Sequence, residues 1–469
     1  MDLHSHEFQS RARTALHDTS LQQALDQARD GFVAKRAAQV AELSEFEALR
    51  EAAAQLKDHI LEHLDDYLER YETAVNAAGG HVHWARDDAE ARRIILDICA
   101  RVDARTVTKG KSMVSEEIGL NEALIEAGLK VVETDLGEYI IQLAGEAPSH
   151  IIAPAVHKTR EQVADLFEAA HGGPRRTEIS DLVDAARQAL RGRYFEADVG
   201  ITGGNFLIAE TGSSLIVTNE GNGDLTQTLA RVHIVTAGIE RVVPTLHDAT
   251  LFLRLLARSA TGQETETYTT VSTGPRRLDD LDGPEEYHVV LVDNGRSRML
   301  AGPFRAMLRC IRCGACMNHC PVYGAIGGHA YGWVYPGPMG SVLTPLIKGL
   351  DLAYDLPNAC TLNGRCASVC PVKIPLPDLL RQLRHAQFTQ AITPRRQRGA
   401  LAAWRVVATR PWLYHALERV VARILARLGA RTGRLRRVPG AHGWTLGRDL
   451  PTPAARTFLE CWHHEREKS

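Results

Sequence analysis

Cys310-Ile-Arg-Cys313-Gly-Ala-Cys316-Met-Asn-His-Cys320-Pro321 is the stretch on which the reading of this chain turns. It is C-x2-C-x2-C-x3-C-P. In that spacing three thiolates wrap one iron–sulfur cluster, and the fourth, beside proline, reaches a second cluster. Thiolate is soft and suits iron and sulfide. The run therefore requires a partner, and Cys360-Thr-Leu-Asn363-Gly-Arg-Cys366-Ala-Ser-Val-Cys370-Pro371 supplies it. This second run repeats the first, with Asn363 where the second cysteine should stand. Seven of the nine cysteines fall in the two runs, which argues against scattered buried thiols. Structural disulfides belong to oxidising compartments, and the N-terminus lacks the basic and apolar regions of a secretory signal. Zinc would take paired C-x2-C units and has no use for two Cys-Pro endings.

The 469 residues are enough for two or three domains, and 44% hydrophobic with 24% charged residues is ordinary for a globular protein. A net charge of −2 gives no global field for nucleic acid. No run of about 18 apolar residues would span a membrane. With thiolate clusters, this leads to the expectation of a cytoplasmic protein.

Residues 1–75 read as a helical arm. From Ala24 to Leu68 the chain is rich in Ala, Leu, Glu, Gln and Arg, without proline. Leu43, Phe46, Leu49, Ala53, Leu56, Ile60 and Leu64 make one apolar stripe. Residues 76–298 then alternate strands and helices. His81–Trp84, Thr106–Thr108, Lys130–Asp135, Ile151–Pro154 and Asp198–Asn205 read as strands or strand ends, with helices over Asp87–Val102 and Leu120–Ala127. Such a rhythm predicts βαβ units and a mainly parallel sheet. Ligands in such sheets sit beyond the carboxyl ends of the strands.

Two loops of this α/β domain carry candidate ligand residues. Lys109-Gly110-Lys111-Ser112 lacks the phosphate-loop spacing; its readings are a local anion site or, more commonly, a solvated basic loop. Thr202-Gly203-Gly204-Asn205, running on through Glu210 to Thr218-Asn219-Glu220-Gly221-Asn222-Gly223, is either a binding loop or a set of hairpin turns, with Asn222-Gly223 a good turn by itself. No catalytic triad or nucleophilic cysteine is legible, and Cys99 reads as core. No catalytic residue is assigned.

Residues 299–380 form the cluster domain. Its 38-residue segment between Pro321 and Cys360 is rich in Gly and Pro, which would let backbone N–H groups approach the sulfurs. Arg309, Arg312 and Arg365 beside the runs would either raise cluster potential or be solvated. Residues 381–469 are a helical extension. Arg395–Arg437 holds twelve arginines and one glutamate, with an amphipathic stripe that suits acidic lipid headgroups, an acidic partner or the chain's own core. Cys461-Trp-His463-His464 lacks a fourth ligand at useful spacing, so no metal is assigned there.

The two runs, with Ile326-Gly-Gly-His-Ala-Tyr-Gly-Trp-Val-Tyr-Pro-Gly-Pro338 between them, resemble the iron–sulfur B component of the bacterial lactate-utilisation system. So do Lys109–Glu117, Gly203–Gly212 and Thr218–Asn222, and the resemblance covers nearly the whole chain. It implies an isomerase/CoA-transferase-like N-terminal sheet domain and a helical type of two-cluster ferredoxin domain. It also implies electron transfer within a complex of two other lactate-utilisation proteins that oxidises L-lactate to pyruvate. Electrons would pass to an acceptor at the membrane, with the protein peripheral at its inner face. Cys310, Cys313, Cys316 and Cys370 would hold one [4Fe–4S] cluster. Cys320, Cys360 and Cys366 would hold a second, [4Fe–4S] or [3Fe–4S], with Asn363 a candidate fourth ligand. Some relatives carry their cysteine at the position of Asn363 and lack one at Cys360. Two other readings stay open. In one the α/β domain is itself a catalytic or ligand-binding unit using Lys109, Lys111, Ser112, Asn205, Glu210, Asn219 and Glu220. In the other the complex oxidises another 2-hydroxy acid, such as glycolate.

Overall fold

The computed structural model describes residues 3–438, 442–445 and 447–466. By contacts the chain separates into two compact units, 1–387 and 388–469.

The first unit opens with four helices, α1 (Phe8–His17), α2 (Thr19–Ala41), α3 (Phe46–Glu62) and α4 (Leu64–Ala77). A six-stranded sheet follows, built from β1 (His81–Ala85), β2 (Thr106–Lys109), β3 (Lys130–Glu133), β4 (Val199–Gly203), β7 (Val232–Gly238) and β10 (Glu286–Val292) in the order β1-β10-β7-β4-β2-β3. Every pairing in it is parallel, as the alternating pattern predicts. Strands buried on both faces need near-continuous apolar runs, and all seven residues of β7 are buried. The crossover helices are α5 (Asp88–Arg101), α6 (Met113–Glu117), α7 (Leu120–Glu126), α8 (Leu136–Ala144), α9 (Arg160–His171), α10 (Ile179–Phe195) and α11 (Asn222–Leu229). Their starts are fixed by side chains that satisfy open backbone amides. Asp87 caps α5, Ser112 caps α6, Asp135 caps α8, and Thr159 with Gln162 makes a capping box on α9.

Sequence patterning did not reveal a second, four-stranded sheet of order β8-β5-β6-β9. It is built from β5 (Phe206–Ile208), β6 (Ser213–Thr218), β8 (Val242–Val243) and β9 (Tyr268–Ser272), with α12 (Leu246–Ala260) packed on it. The glycine-rich stretch after β4 is thus partly a hairpin, β5 against β6. Asn222-Gly223 is not a turn: Gly221 takes φ +68° and α11 begins at Asn222. Ile151–Pro154 is not a strand either. His150 Nδ1 accepts the N–H groups of Ile152 and Ala153 at 3.0 and 3.1 Å, which removes them from any ladder.

The cluster segment contains only short helices around the runs, chiefly α13 (Arg296–Leu300), α14 (Ala315–Asn318), α15 (Tyr323–Ile326), α16 (Gly337–Lys348), α17 (Asp355–Asn358) and α18 (Arg365–Val369), then α19 (Leu376–Thr389). Its core is continuous with that of the helical arm and the second sheet. The arm holds the cluster segment directly. Ser5 Oγ donates to Tyr331 O at 2.8 Å, Arg36 Nη2 to Val369 O at 3.0 Å, and Arg309 pairs with Asp58 at 2.7 and 2.6 Å. Arg50 Nε and Nη2 donate to Cys370 O at 2.9 and 2.7 Å. The inter-run glycines serve this packing. A Cβ on Gly328 would lie 1.7 Å from Ser149 O, and one on Gly332 would lie 2.5 Å from His4 C.

The second unit holds α20 (Arg395–Ala408), α21 (Pro411–Gly429), α22 (His442–Thr445) and α23 (Phe458–Arg466), with a short pairing of β11 (Arg434–Leu435) and β12 (Leu450–Pro451). Among the described residues, no helix is long and apolar enough to cross a membrane.

Candidate cluster sites and the adjoining pocket

Each run is an extended entry, a left-handed turn and one turn of helix. Arg312 and Gly314 take φ +59° and +73° before α14, and Leu362 and Gly364 take φ +56° and +81° before α18. This places Cys316 on α14 and Cys366 on α18, while each final cysteine lies one residue past its helix or further on. Cys310, Cys313, Cys316 and Cys370 line one small cavity with Ile151, Met339 and Val372. The final cysteine of the second run thus joins three of the first. Cys320, Cys360 and Cys366 form the other group: Cys360 is close enough to act electrostatically on Cys320, and both act on Cys366.

Both groups fit iron–sulfur clusters. Arg312 N–H donates to Cys310 Sγ at 3.4 Å, Tyr323 N–H to Cys320 Sγ at 3.5 Å, Leu362 N–H to Cys360 Sγ at 3.3 Å and Ile374 N–H to Cys370 Sγ at 3.4 Å. Such bonds stabilise ligated sulfur. All four amides lie two to four residues after the cysteine they bond, and none belongs to an inter-run glycine. Burial, then neighbouring sulfurs, pushes the Cys366 thiol up to about 12. Burial pushes Cys370 up to about 11, and Cys316 lies well above its ordinary value from burial, Cys313 and Cys310. Crowded, dry thiols resist ionising, and a cationic metal core reverses that by taking the thiolate charge.

Asn363 is exposed, and its Oδ1 accepts the Arg365 N–H at 3.1 Å. Cys313 takes the equivalent bond from Ala315. The amide therefore occupies the rotational slot of the missing thiolate.

Beyond the carboxyl ends of β2, β4 and β7 lies a cavity of about 270 Å³. It brings together Lys111, Ser112, Asn205, Asn219 and Glu220, five of the seven sequence-predicted loop residues. Lys111 Nζ donates to Ile152 O. Ser112 Oγ bonds Thr236 Oγ1 at 2.9 Å, and Asn205 Oδ1 accepts Val217 N–H at 3.1 Å. Asn219 Oδ1 accepts Thr267 N–H at 3.1 Å. Burial and the nearby Asp135 raise the Glu220 carboxyl. Glu210 is exposed at the hairpin tip and does not line the cavity.

Lys109 overturns the solvated-loop reading. It is 0% exposed and pairs with Glu116 at 2.7 Å and Glu133 at 2.8 Å. Burial alone would neutralise it, but Glu116 and Glu133 hold its ammonium above the ordinary range. No local sequence signal shows Glu133, which arrives on the neighbouring strand.

Sequence reasoning also missed Arg241, which follows β7, and the side chain of Arg312; both line the cavity. The one available signal was a charged pair, Glu240-Arg241, two residues after a largely apolar strand. These arginines belong to a buried ionic joint. Arg296 Nε meets Glu240 Oε2 at 2.7 Å, and its Nη1 and Nη2 meet Glu117 at 2.9 and 2.8 Å. Tyr335 Oη donates to Glu117 Oε2 at 2.5 Å, and Lys57 Nζ donates to Glu240 O at 2.6 Å. Burial opposes ionisation of Glu240, but Arg296, Arg241 and Arg312 hold its carboxyl at about 2. Arg312 is also a wall of the first cysteine cavity, so cavity and first cluster site are one residue apart.

Three family models match the chain: the LUD domain over residues 68–292, the 4Fe-4S dicluster domain over 306–374, and the C-terminal domain of lactate utilisation protein B over 385–467. The chain is 43% identical over 463 residues to lactate utilization protein B of Shouchella clausii, covering 98% of this chain and 97% of that one. It is 42% identical over 473 residues to the protein of the same name from Lysinibacillus sphaericus, covering 100% and 98%. It is also 42% identical over 467 residues to the uncharacterized electron transport protein YkgF of Escherichia coli, covering 98% of each. A crystal structure of a DUF162 family protein from Deinococcus radiodurans aligns with 49% of this chain and 98% of that one. Its TM-score is 0.29 at 13% identity, too low to carry an argument.

Proposed function

This chain belongs to the lactate utilization protein B family, and from that premise we propose that it is the iron–sulfur electron-transfer subunit of a complex that oxidises L-lactate to pyruvate. It carries a 4Fe-4S dicluster domain, which holds two iron–sulfur clusters. The observation that carries the proposal is the interlocking of the runs, with Cys370 among Cys310, Cys313 and Cys316. Bound there, the clusters supply one-electron carriers in pairs, and oxidation of L-lactate to pyruvate releases two electrons and two protons. The chain's own residues hold those carriers close together. The left-handed turns present the sulfurs, the Arg312, Tyr323, Leu362 and Ile374 amides bond them, and the helical arm closes over them through Arg36 and Arg50.

The number of thiolate ligands differs between the two in this proposal. Four thiolates hold the first as [4Fe–4S]. Three hold the second as [4Fe–4S] or [3Fe–4S], with its open corner at Asn363. Two other lactate-utilisation proteins complete the complex, and one of them or the assembly performs the chemistry at the lactate carbon.

The acceptor lies at the inner face of the membrane. The twelve arginines of Arg395–Arg437 and the exposed Trp404 and Trp412 support this placement. Co-sedimentation with anionic but not neutral vesicles checks it, and equal recovery with both would reject it.

The central test is anaerobic. Purified chain should show two reducible cluster signals and should reduce a dye with L-lactate only when its partners are added. Lactate-dependent reduction by the chain alone would replace this reading with a catalytic one.

A further inference from the structure

The ionic joint beside the pocket beyond β2, β4 and β7 carries more positive charge than its own carboxylates answer. Four buried cations, Lys57, Arg241, Arg296 and Arg312, face two buried carboxylates, Glu117 and Glu240. Arg296 takes the close contacts of both. Glu240 Oε1 is left at 3.7 Å from Arg312 Nη2 and 3.8 Å from Arg241 Nε, beyond hydrogen-bond reach.

Arg312 is 9% exposed, and its Nε and Nη1 have no hydrogen-bond partner among the described residues. Its guanidinium lies 4.3 Å from the centre of the Tyr335 ring, which fixes the plane without occupying the donors. Buried guanidinium N–H groups left unpaired are costly. A planar fork of donors matches a carboxylate. In the same cavity, Asn205 spends its oxygen on Val217 N–H, which leaves its amide N–H groups for a ligand. Asp135, Glu220 and Glu266 also line the cavity, against the cations Lys111, Arg241 and Arg312, and disfavour a dianion. The volume of about 270 Å³ lies at the small end for ligand pockets.

We propose that this cavity binds a small 2-hydroxy- or 2-oxocarboxylate, with its carboxylate held by Arg312 and Arg241 and its 2-oxygen near Asn205. The site rests on the electron-transfer reading only in placing a cluster against Cys310. Because the Arg312 amide bonds Cys310 Sγ while its side chain holds the ligand, occupancy and the state of the first cluster are linked, and the linkage is reciprocal. A bound anion lowers the midpoint potential of that cluster, since added negative charge disfavours the reduced form.

The test uses the full-length, cluster-loaded chain under anaerobic conditions. L-lactate, pyruvate and inorganic phosphate are titrated by calorimetry, and the first cluster is titrated by EPR with and without saturating pyruvate. Saturable binding of L-lactate or pyruvate is expected, with phosphate at least about tenfold weaker. Arg312→Gln and Arg241→Gln should each weaken carboxylate binding about tenfold or more, the loss of one charge-assisted contact. Pyruvate should shift the first midpoint downward in wild type and not in Arg312→Gln. Arg241 lies outside the cysteine runs, so Arg241→Gln carries the test if Arg312→Gln loses iron.

Wild-type protein with full iron that binds neither acid overturns the proposal. So does preferential phosphate binding, or unchanged binding in Arg241→Gln. An Arg312→Gln protein with altered potential and intact carboxylate binding also overturns it, because the guanidinium would then serve the cluster alone. Failure of the electron-transfer reading shows separately, as absence of reducible clusters in the wild type.

Discussion

At the turn of the first cysteine run Arg312 takes φ +59° and is 9% exposed; at the same turn of the second, Leu362 takes φ +56° and is 36% exposed. The backbones answer the same demand, a tight loop around sulfur, so the left-handed strain belongs to the ligand geometry. What differs is what each loop faces. The first lies against Ile151, the buried joint of Glu117, Glu240 and Arg296, and the sheet pocket. The second presents Thr361, Leu362 and Asn363 outward. One ligand pattern thus yields a cluster site facing the pocket and one facing the surface, an arrangement suited to taking electrons inside and releasing them outside.

The largest expected effect tests how far the two sites are interlocked. Cys370→Ser changes the second run, yet it should abolish the first cluster, with a loss of up to about four irons per chain. Cys366→Ser should spare the first cluster and damage only the second. Iron analysis with EPR reads both. Loss of the same signal in both variants would break the crossed assignment.

Next comes the joint that only the first run touches. Glu117→Gln leaves the Arg296 fork short of one charge in a dry site, and breaking a buried pair costs about 3–5 kcal/mol. Urea unfolding of the anaerobic holoprotein should register it. Acid sharpens the point. Glu117 and Glu240 are both held below the ordinary 4.5 despite burial, chiefly by Arg296, with Glu240 at about 2. Their contribution is fully present above the unfolded value and is lost as pH falls through the folded one. Wild type should therefore lose stability from about pH 5 downward, and Glu117→Gln should do so with a shallower slope. Equal slopes would show that the joint does not titrate with folding.

A paired glycine replacement separates turn strain from packing. Gly314 and Gly364 both take positive φ, so alanine should cost about 1–2 kcal/mol at either. At Gly314 the new methyl also meets Ile152 at 3.2 Å and His150 at 3.3 Å, while at Gly364 nothing lies within 4 Å. Gly314→Ala should therefore be the more damaging in thermal unfolding. Equal losses would mean that the segment holding His150 and Ile152 gives way freely.

The same contrast separates what was legible in the chain from what was not. Cysteine spacing is local chemistry, so the runs could be read directly. The parallel sheet was legible because its strands alternate with helices in sequence. Ile151–Pro154 misled because the His150 side chain takes the amides a strand would need, and apolar composition cannot show that. Lys109 misled because Glu133 reaches it from another strand. Arg241 and Arg312 were illegible as a pair: one follows β7, the other sits in a cysteine run, and only the fold brings them to one cavity. The second sheet escaped because β5 and β8 have only three and two residues, too short for a periodic signal.

The smallest expected effect concerns the outward site. Asn363 Oδ1 takes the Arg365 amide just as the Cys313 sulfur takes the Ala315 amide, so the side chain already lies where a ligand would. Asn363→Cys should then supply an eighth thiolate without rebuilding the loop. Because the position is exposed, stability should move by no more than about 0.5 kcal/mol. Iron should rise by about one per chain if the wild-type site holds three irons, and an oxidised [3Fe–4S] EPR signal should give way to a reduced [4Fe–4S] one. The first cluster's spectrum should stay fixed, since its four thiolates are complete. Unchanged iron and spectra would mean that the corner at Asn363 is already filled, and the difference between the two sites would then lie in their surroundings alone.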